Sequence, residues 1–280
     1  MYMVLLSFSY NFIMFLGLNQ TSYVLVFLIL EWLSWIFSVT LMVFSMKYLL
    51  IQSYFSLAFL VALLSMPKFI ILSLLLKMGF PPFYNWAIAL FKFFSKKSLL
   101  FAMTMHKILP TIVSGKCFSM FMSLLSITML CILFLQASNL FLVLMFSSFL
   151  HGWWVILASY FYQKLFWQYW VVYGSLLLLF LTSITFSKLE LFGYGQTTLS
   201  GISFLVLSGF PPFLLFWMKA SVFMILVMGS AFLAMMLIFS SVISLIVYFR
   251  VLCMSLELSE KNSGKFIPML TISLLISFFY

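Results

Sequence analysis

Charge is what this sequence lacks. Aspartate never occurs, arginine occurs once, and 6% of the 280 residues are charged, against about 25% in a soluble domain. So few charges cannot cover a water-exposed surface, which leaves an integral membrane protein as the default. Period-2 alternation is also missing, which argues against an outer-membrane barrel. The three cysteines, Cys117, Cys131 and Cys253, form neither a CxxC pair nor any metal pattern and read as small apolar core residues. The first apolar run, Met3–Leu18, has no basic segment before it and no small-residue cleavage site after it. It is expected to be a retained helix rather than an import signal.

What the chain has is apolar length. Hydrophobic residues make up 66% of it, with 37 Phe and 20 Met, a skew that points to a strongly biased, organellar genome. Runs of about 20 apolar residues, enough to cross a bilayer as helix, recur from end to end. Eleven spans are expected, near 3–18, 22–45, 50–66, 69–91, 99–115, 118–135, 140–160, 169–186, 197–227, 230–253 and 266–280. The fold class is thus an all-α polytopic membrane protein. The loops are too short to hold a nucleotide or an iron–sulfur cluster. The net charge of +10 is scattered between apolar runs, so it reads as interfacial anchoring rather than nucleic-acid binding. The side of the N-terminus receives Lys47, Lys92, Lys96, Lys97, Lys188, Arg250, Lys261 and Lys265. The other side receives Lys68, Lys116 and Lys164. That bias puts the N-terminus on the cytoplasmic or matrix side.

The pentapeptide GFPPF occurs twice, at 79–83 and 209–213, inside the fourth and ninth spans. Spans five apart cross in opposite directions. Two such broken helices suggest inverted repeats of the kind found in ion-coupled transporters, with the freed backbone groups lining a polar cavity. The approximate division is N-terminal helices 3–66, a first half 69–186 and a second half 187–280. A packing kink repeated by chance in a low-diversity sequence is the plainer alternative.

Charges inside spans are few enough to weigh singly. Glu31 sits deep in the second span, where burial costs about 3 kcal/mol; it is either functional or bonded to a neighbouring helix. Lys77 lies nine residues beyond Lys68, roughly 13 Å deeper along a helix, in the last turn before the first break. Lys107 lies near mid-depth, close to Pro110, which removes a donor from the helix ladder. Lys219 follows the second break by seven residues and could instead snorkel to the surface. Burial disfavours an ammonium and a nearby carboxylate restores it, so mid-depth lysines beside one glutamate are what a proton relay requires. His106 and His151 are the two histidines. They read as polar contacts, as relay members, or, least well supported, as the ligands of a bis-histidine haem.

These motifs resemble those of a known family. LLLKMGFPPFYNW, around Lys77, is similar to the KLGxxPFHxW signature of subunit 2 of the proton-pumping NADH–ubiquinone oxidoreductase, respiratory complex I. HKILP resembles its QKLAP motif, MFSSFLHGWW its AYSSIxHMGW, and LSGFPPFLLFWMK its LGGLPPLxGFxxK. Order and spacing agree over about residues 25–250. The family is related to Mrp-type cation/proton antiporter subunits. Eleven spans fit its animal mitochondrial versions, and the short, Phe/Met-rich chain resembles nematode ones.

The resemblance implies a membrane-arm subunit of the mitochondrial inner membrane, with its N-terminus on the matrix side and other membrane-arm subunits and lipids as partners. It implies that NADH, FMN, iron–sulfur clusters and ubiquinone belong to other subunits, and that this chain binds no cofactor. Glu31 matches the glutamate that partners the first lysine, Lys77 and Lys107 the lysines of the first half-channel, and Lys219 that of the second. Two departures stand out. Tyr84 replaces the signature's histidine, and Leu142, nine residues before His151, stands where the pattern carries a central lysine. A central relay would then use water, His151 or another group. A stand-alone cation/proton antiporter and a structural spacer with a decayed channel remain alternatives.

Overall fold

The computed structural model describes residues 2–18, 22–41, 45–65, 69–183, 204–211 and 213–263. Every regular element among them is helical. In chain order these are α1 (Tyr2–Leu18), α2 (Tyr23–Leu41), α3 (Ser45–Ser65), α4 (Ile70–Met78), α5 (Asn85–Phe91), α6 (Lys96–Met103), α7 (Met105–Lys116), α8 (Met120–Leu135), α9 (Leu140–Phe161), α10 (Gln163–Ser183), α11 (Leu214–Gly229) and α12 (Ala231–Ser263). A short helical segment, 204–208, precedes α11. Lys68, Lys188, Lys265 and the eleventh expected span, 266–280, lie outside the described residues.

Four described helices are long and apolar enough to cross a bilayer, within α3, α9, α10 and α12, and shorter apolar helices accompany them. Their outer faces are apolar where a soluble bundle's would be polar, and a minority of polar groups lies inside. Leu50, Leu57 and Leu64 stand 60–81% exposed along α3, while serines, Gln52 and three lysines are buried. Most buried hydroxyls solve their own hydrogen bonding by donating to the carbonyl three residues earlier, as Ser34, Ser73, Ser114, Ser147 and Ser240 do. Lys47, Lys92, Lys97, Lys116 and Lys164 are exposed near helix ends, as interfacial anchors should be, and Arg250 is exposed within α12 near the end of its apolar stretch.

α9 is the axis of the bundle. It touches α7, α8, α10, α11 and α12, and its span is 94% buried. α1, α2 and α4 pack against α7, α3 packs on α2 and α4, and the α7–α9 contact joins that group to the rest.

Several boundaries differ from expectation for identifiable reasons. The fifth span is two helices meeting at Thr104 (φ −110°, ψ −90°). Pro110, inside α7, lacks the N–H that would serve the His106 carbonyl and crowds the preceding turn. α10 starts at Gln163, before the apolar run, and α12 continues past it to Ser263. A helix need not stop where its apolar stretch does, and no Gly or Pro intervenes in either extension.

Candidate functional site: a line of buried cations through the bundle

The two GFPPF stretches share a left-handed glycine and a tight turn after it. Gly79 and Gly209 both adopt left-handed backbone, with φ of 73° and 74°. At the first, Phe80 N–H donates to the Leu75 carbonyl (3.0 Å) and Gly79 N–H to Leu76 (3.2 Å), the paired closure of a Schellman cap. At the second, Gly209 N–H donates to Val206 (3.3 Å). A tight turn follows each time, from Phe83 N–H to the Phe80 carbonyl (2.8 Å) and from Phe213 N–H to Phe210 (2.9 Å). Glycine is needed because a side chain strains left-handed backbone.

Lys77 occupies the last turn of α4 and is 3% exposed. Its Nζ lies 3.6 Å from Glu31 Oε1 on α2. That separation makes an ion pair but is too long for a hydrogen bond, so both atoms keep unmet capacity. Gln52 of α3, fully buried, donates to the Lys77 carbonyl (3.3 Å), and Trp86 to the Leu76 carbonyl (3.0 Å). Two carbonyls at the broken end of α4 thus gain side-chain donors.

Lys107 is likewise 3% exposed. Its ammonium donates to Ser148 Oγ on α9 (3.2 Å) and lies over the Phe149 ring at 4.6 Å and the Phe80 ring at 5.7 Å. No carboxylate accompanies it among the described residues. His106 points elsewhere. Its Nε2 meets the Tyr48 hydroxyl at 2.6 Å and its Nδ1 the Tyr10 hydroxyl at 3.0 Å. A void of about 10 Å³ is bordered by Lys77, His106 and Lys107, enough for one water.

Lys219 does not snorkel. It is 8% exposed and turns back across its own break, donating to the Ser208 carbonyl at 2.7 Å. Its stem packs on Gly209, and Trp154 of α9 presents its ring 5.8 Å from Nζ. His151, one turn after Ser148, meets the Tyr169 hydroxyl at 2.9 Å through Nδ1. A second water-sized void is bordered by His151, Lys219, Ser240, Ser244 and Tyr248.

The five candidate residues are therefore strung together. Glu31 meets Lys77, Lys77 and Lys107 share one void, and His151 and Lys219 share the other. Lys107 and His151 are brought to adjacent turns of α9 through Ser148. Leu142 is not in this gap. It sits in the first turn of α9, roughly 9 Å along the axis from Ser148. The haem reading does not fit, because both ring nitrogens of His106 are engaged by tyrosine hydroxyls and the two histidines border separate voids. Sequence reasoning missed Tyr10, Tyr48, Gln52, Ser148 and Tyr169. Isolated Tyr, Gln or Ser residues in apolar helices carry little signal until a partner faces them.

No protein-family model matches the chain. Among curated proteins it is similar to NADH-ubiquinone oxidoreductase chain 2 of Artemia franciscana, 32% identical over 245 residues that cover 79% of this chain and 78% of that protein. Identity at that level over that length bears out the resemblance carried by the motifs, and the chain belongs to the NADH-ubiquinone oxidoreductase chain 2 family.

Proposed function

We propose that this chain is a membrane-arm subunit of respiratory complex I in the mitochondrial inner membrane, where it couples electron transfer from NADH to ubiquinone in other subunits to proton translocation. Glu31, Lys77, Lys107, His151 and Lys219 form its relay. Glu31 sets the hold of Lys77 on its proton, Lys107 carries the charge onward, His151 connects the halves and Lys219 gates the second. The chain contributes no redox cofactor of its own. It works within a hetero-oligomer, with its N-terminus facing the matrix and its two halves inverted relative to one another.

One observation carries this reading. Three buried lysines and a glutamate lie on one path through the bundle, with water-sized voids beside them. Ionisable groups are rare inside membrane segments and concentrate on ion and proton pathways. The left-handed glycine and the tight turn common to the two breaks support the repeated organisation. The relative's identity supports a complex I subunit over a stand-alone antiporter. The chain should accordingly comigrate with a large NADH-oxidising assembly.

The test replaces Lys77 by Met and Glu31 by Gln in the assembled enzyme. Protons pumped per electron should fall while the amount of assembled complex changes less. Unchanged pumping in both variants means that the relay assignment is wrong.

A further inference from the structure

Lys77 has a carboxylate partner, whereas Lys107 has none among the described residues and is equally buried. What surrounds its ammonium is one hydroxyl, Ser148, and two ring faces, Phe149 at 4.6 Å and Phe80 at 5.7 Å. Ring faces attract cations most strongly where water is excluded. Both rings are held in place. Phe80 leaves the first break fully buried and packs on Phe149 (5.4 Å) and Trp153 (5.7 Å). It fits because Gly152 has no side chain; a Cβ there would collide with the far end of the Phe80 ring. Phe149 and Gly152 both depart from the SSIxHMGW pattern, which has Ile and Met at those positions.

We propose that Phe80, Ser148 and Phe149 form a carboxylate-free cage that holds the charged form of Lys107, with Gly152 providing the space for it. The first GFPPF break thereby acquires a second task, presenting Phe80 to this lysine. The three are positioning residues acting through Lys107, and the proposal rests on the relay reading above.

The experiment uses the assembled, membrane-embedded enzyme carrying Phe149→Leu, Lys107→Met, both together, or the control Phe146→Leu. Phe146 packs beside Phe149 (6.4 Å), on the same buried helix. Phe149→Leu keeps an apolar side chain but removes the ring face, and protons pumped per electron should fall about twofold or more, as expected for loss of a desolvated cation–π contact. Phe146→Leu should leave pumping intact at equal assembly. In the Lys107→Met background, Phe149→Leu should cause no further loss. Two results overturn the cage while leaving the relay standing: normal pumping in Phe149→Leu with impaired pumping in Lys107→Met, or equal losses in Phe149→Leu and Phe146→Leu. Normal pumping in Lys107→Met overturns both.

Discussion

Lys219 reaches back over Gly209 to donate to the Ser208 carbonyl at 2.7 Å, so the charge that follows the second break is tied to the end of the segment preceding it. The first break works the other way round. Lys77 precedes Gly79, and its neighbours Gln52 and Trp86 come from other positions to serve the carbonyls at the broken end. Identical pentapeptides therefore present their lysines from opposite sides of the interruption.

Alanine at either break glycine should test how far this geometry depends on left-handed backbone. The conformation alone should cost about 1–2 kcal/mol. Gly79→Ala should be the worse of the two, because its Cβ would sit 2.7 Å from Ala87 Cβ, whereas at Gly209 the new methyl meets the flexible Lys219 stem at 3.3 Å. Thermal inactivation and the yield of assembled complex should rank wild type, Gly209→Ala, Gly79→Ala. The reverse order would mean that the second break is the more rigid.

The fit of Phe80 against Gly152 predicts a compensating pair. Gly152→Ala overfills the contact and should destabilise by about 1–3 kcal/mol. Shortening the intruding side chain, in Gly152→Ala with Phe80→Leu, should recover much of that loss in a melting experiment. Additive losses would show that the two side chains are not in competition for one space.

His106 predicts an asymmetry between its tyrosines. Neutral imidazole has one donor and one acceptor nitrogen, so one phenol donates to it and the other accepts. Tyr48 makes the shorter contact, 2.6 Å against 3.0 Å for Tyr10. Tyr48→Phe would leave a buried ring nitrogen unmet, a loss of about 1–3 kcal/mol, and Tyr10→Phe should be milder. Thermal denaturation of the assembled variants measures both, and equal effects would argue that the ring moves to satisfy whichever phenol remains.

The burial of the candidate lysines was legible in advance because charge in this chain is so scarce. Lys77, Lys107 and Lys219 stood out from the other cations by their distance from apolar-run ends, and all three are buried while six of those others are exposed. Glu31 stood out for the same reason, and it meets Lys77. The bend at Thr104 was less legible, since Pro110 announces a disturbed helix without saying where the turn opens. The rings around Lys107 were not legible at all. In a chain with 37 phenylalanines, no pattern marks the two whose faces meet an ammonium.

The sequence by itself determined that the chain spans membranes as helices, where those helices break, and which charges lie away from water. Those properties depend on composition and on separation along the chain. Only the tertiary structure decided which groups face each buried lysine: a glutamate for Lys77, ring faces and a serine for Lys107, a backbone carbonyl and Trp154 for Lys219. It also set Ser148 of α9, one turn before His151, against Lys107, with Leu142 left in the first turn of that helix. Partners across helices depend on packing angle and rotation, which a residue's neighbours in sequence do not specify.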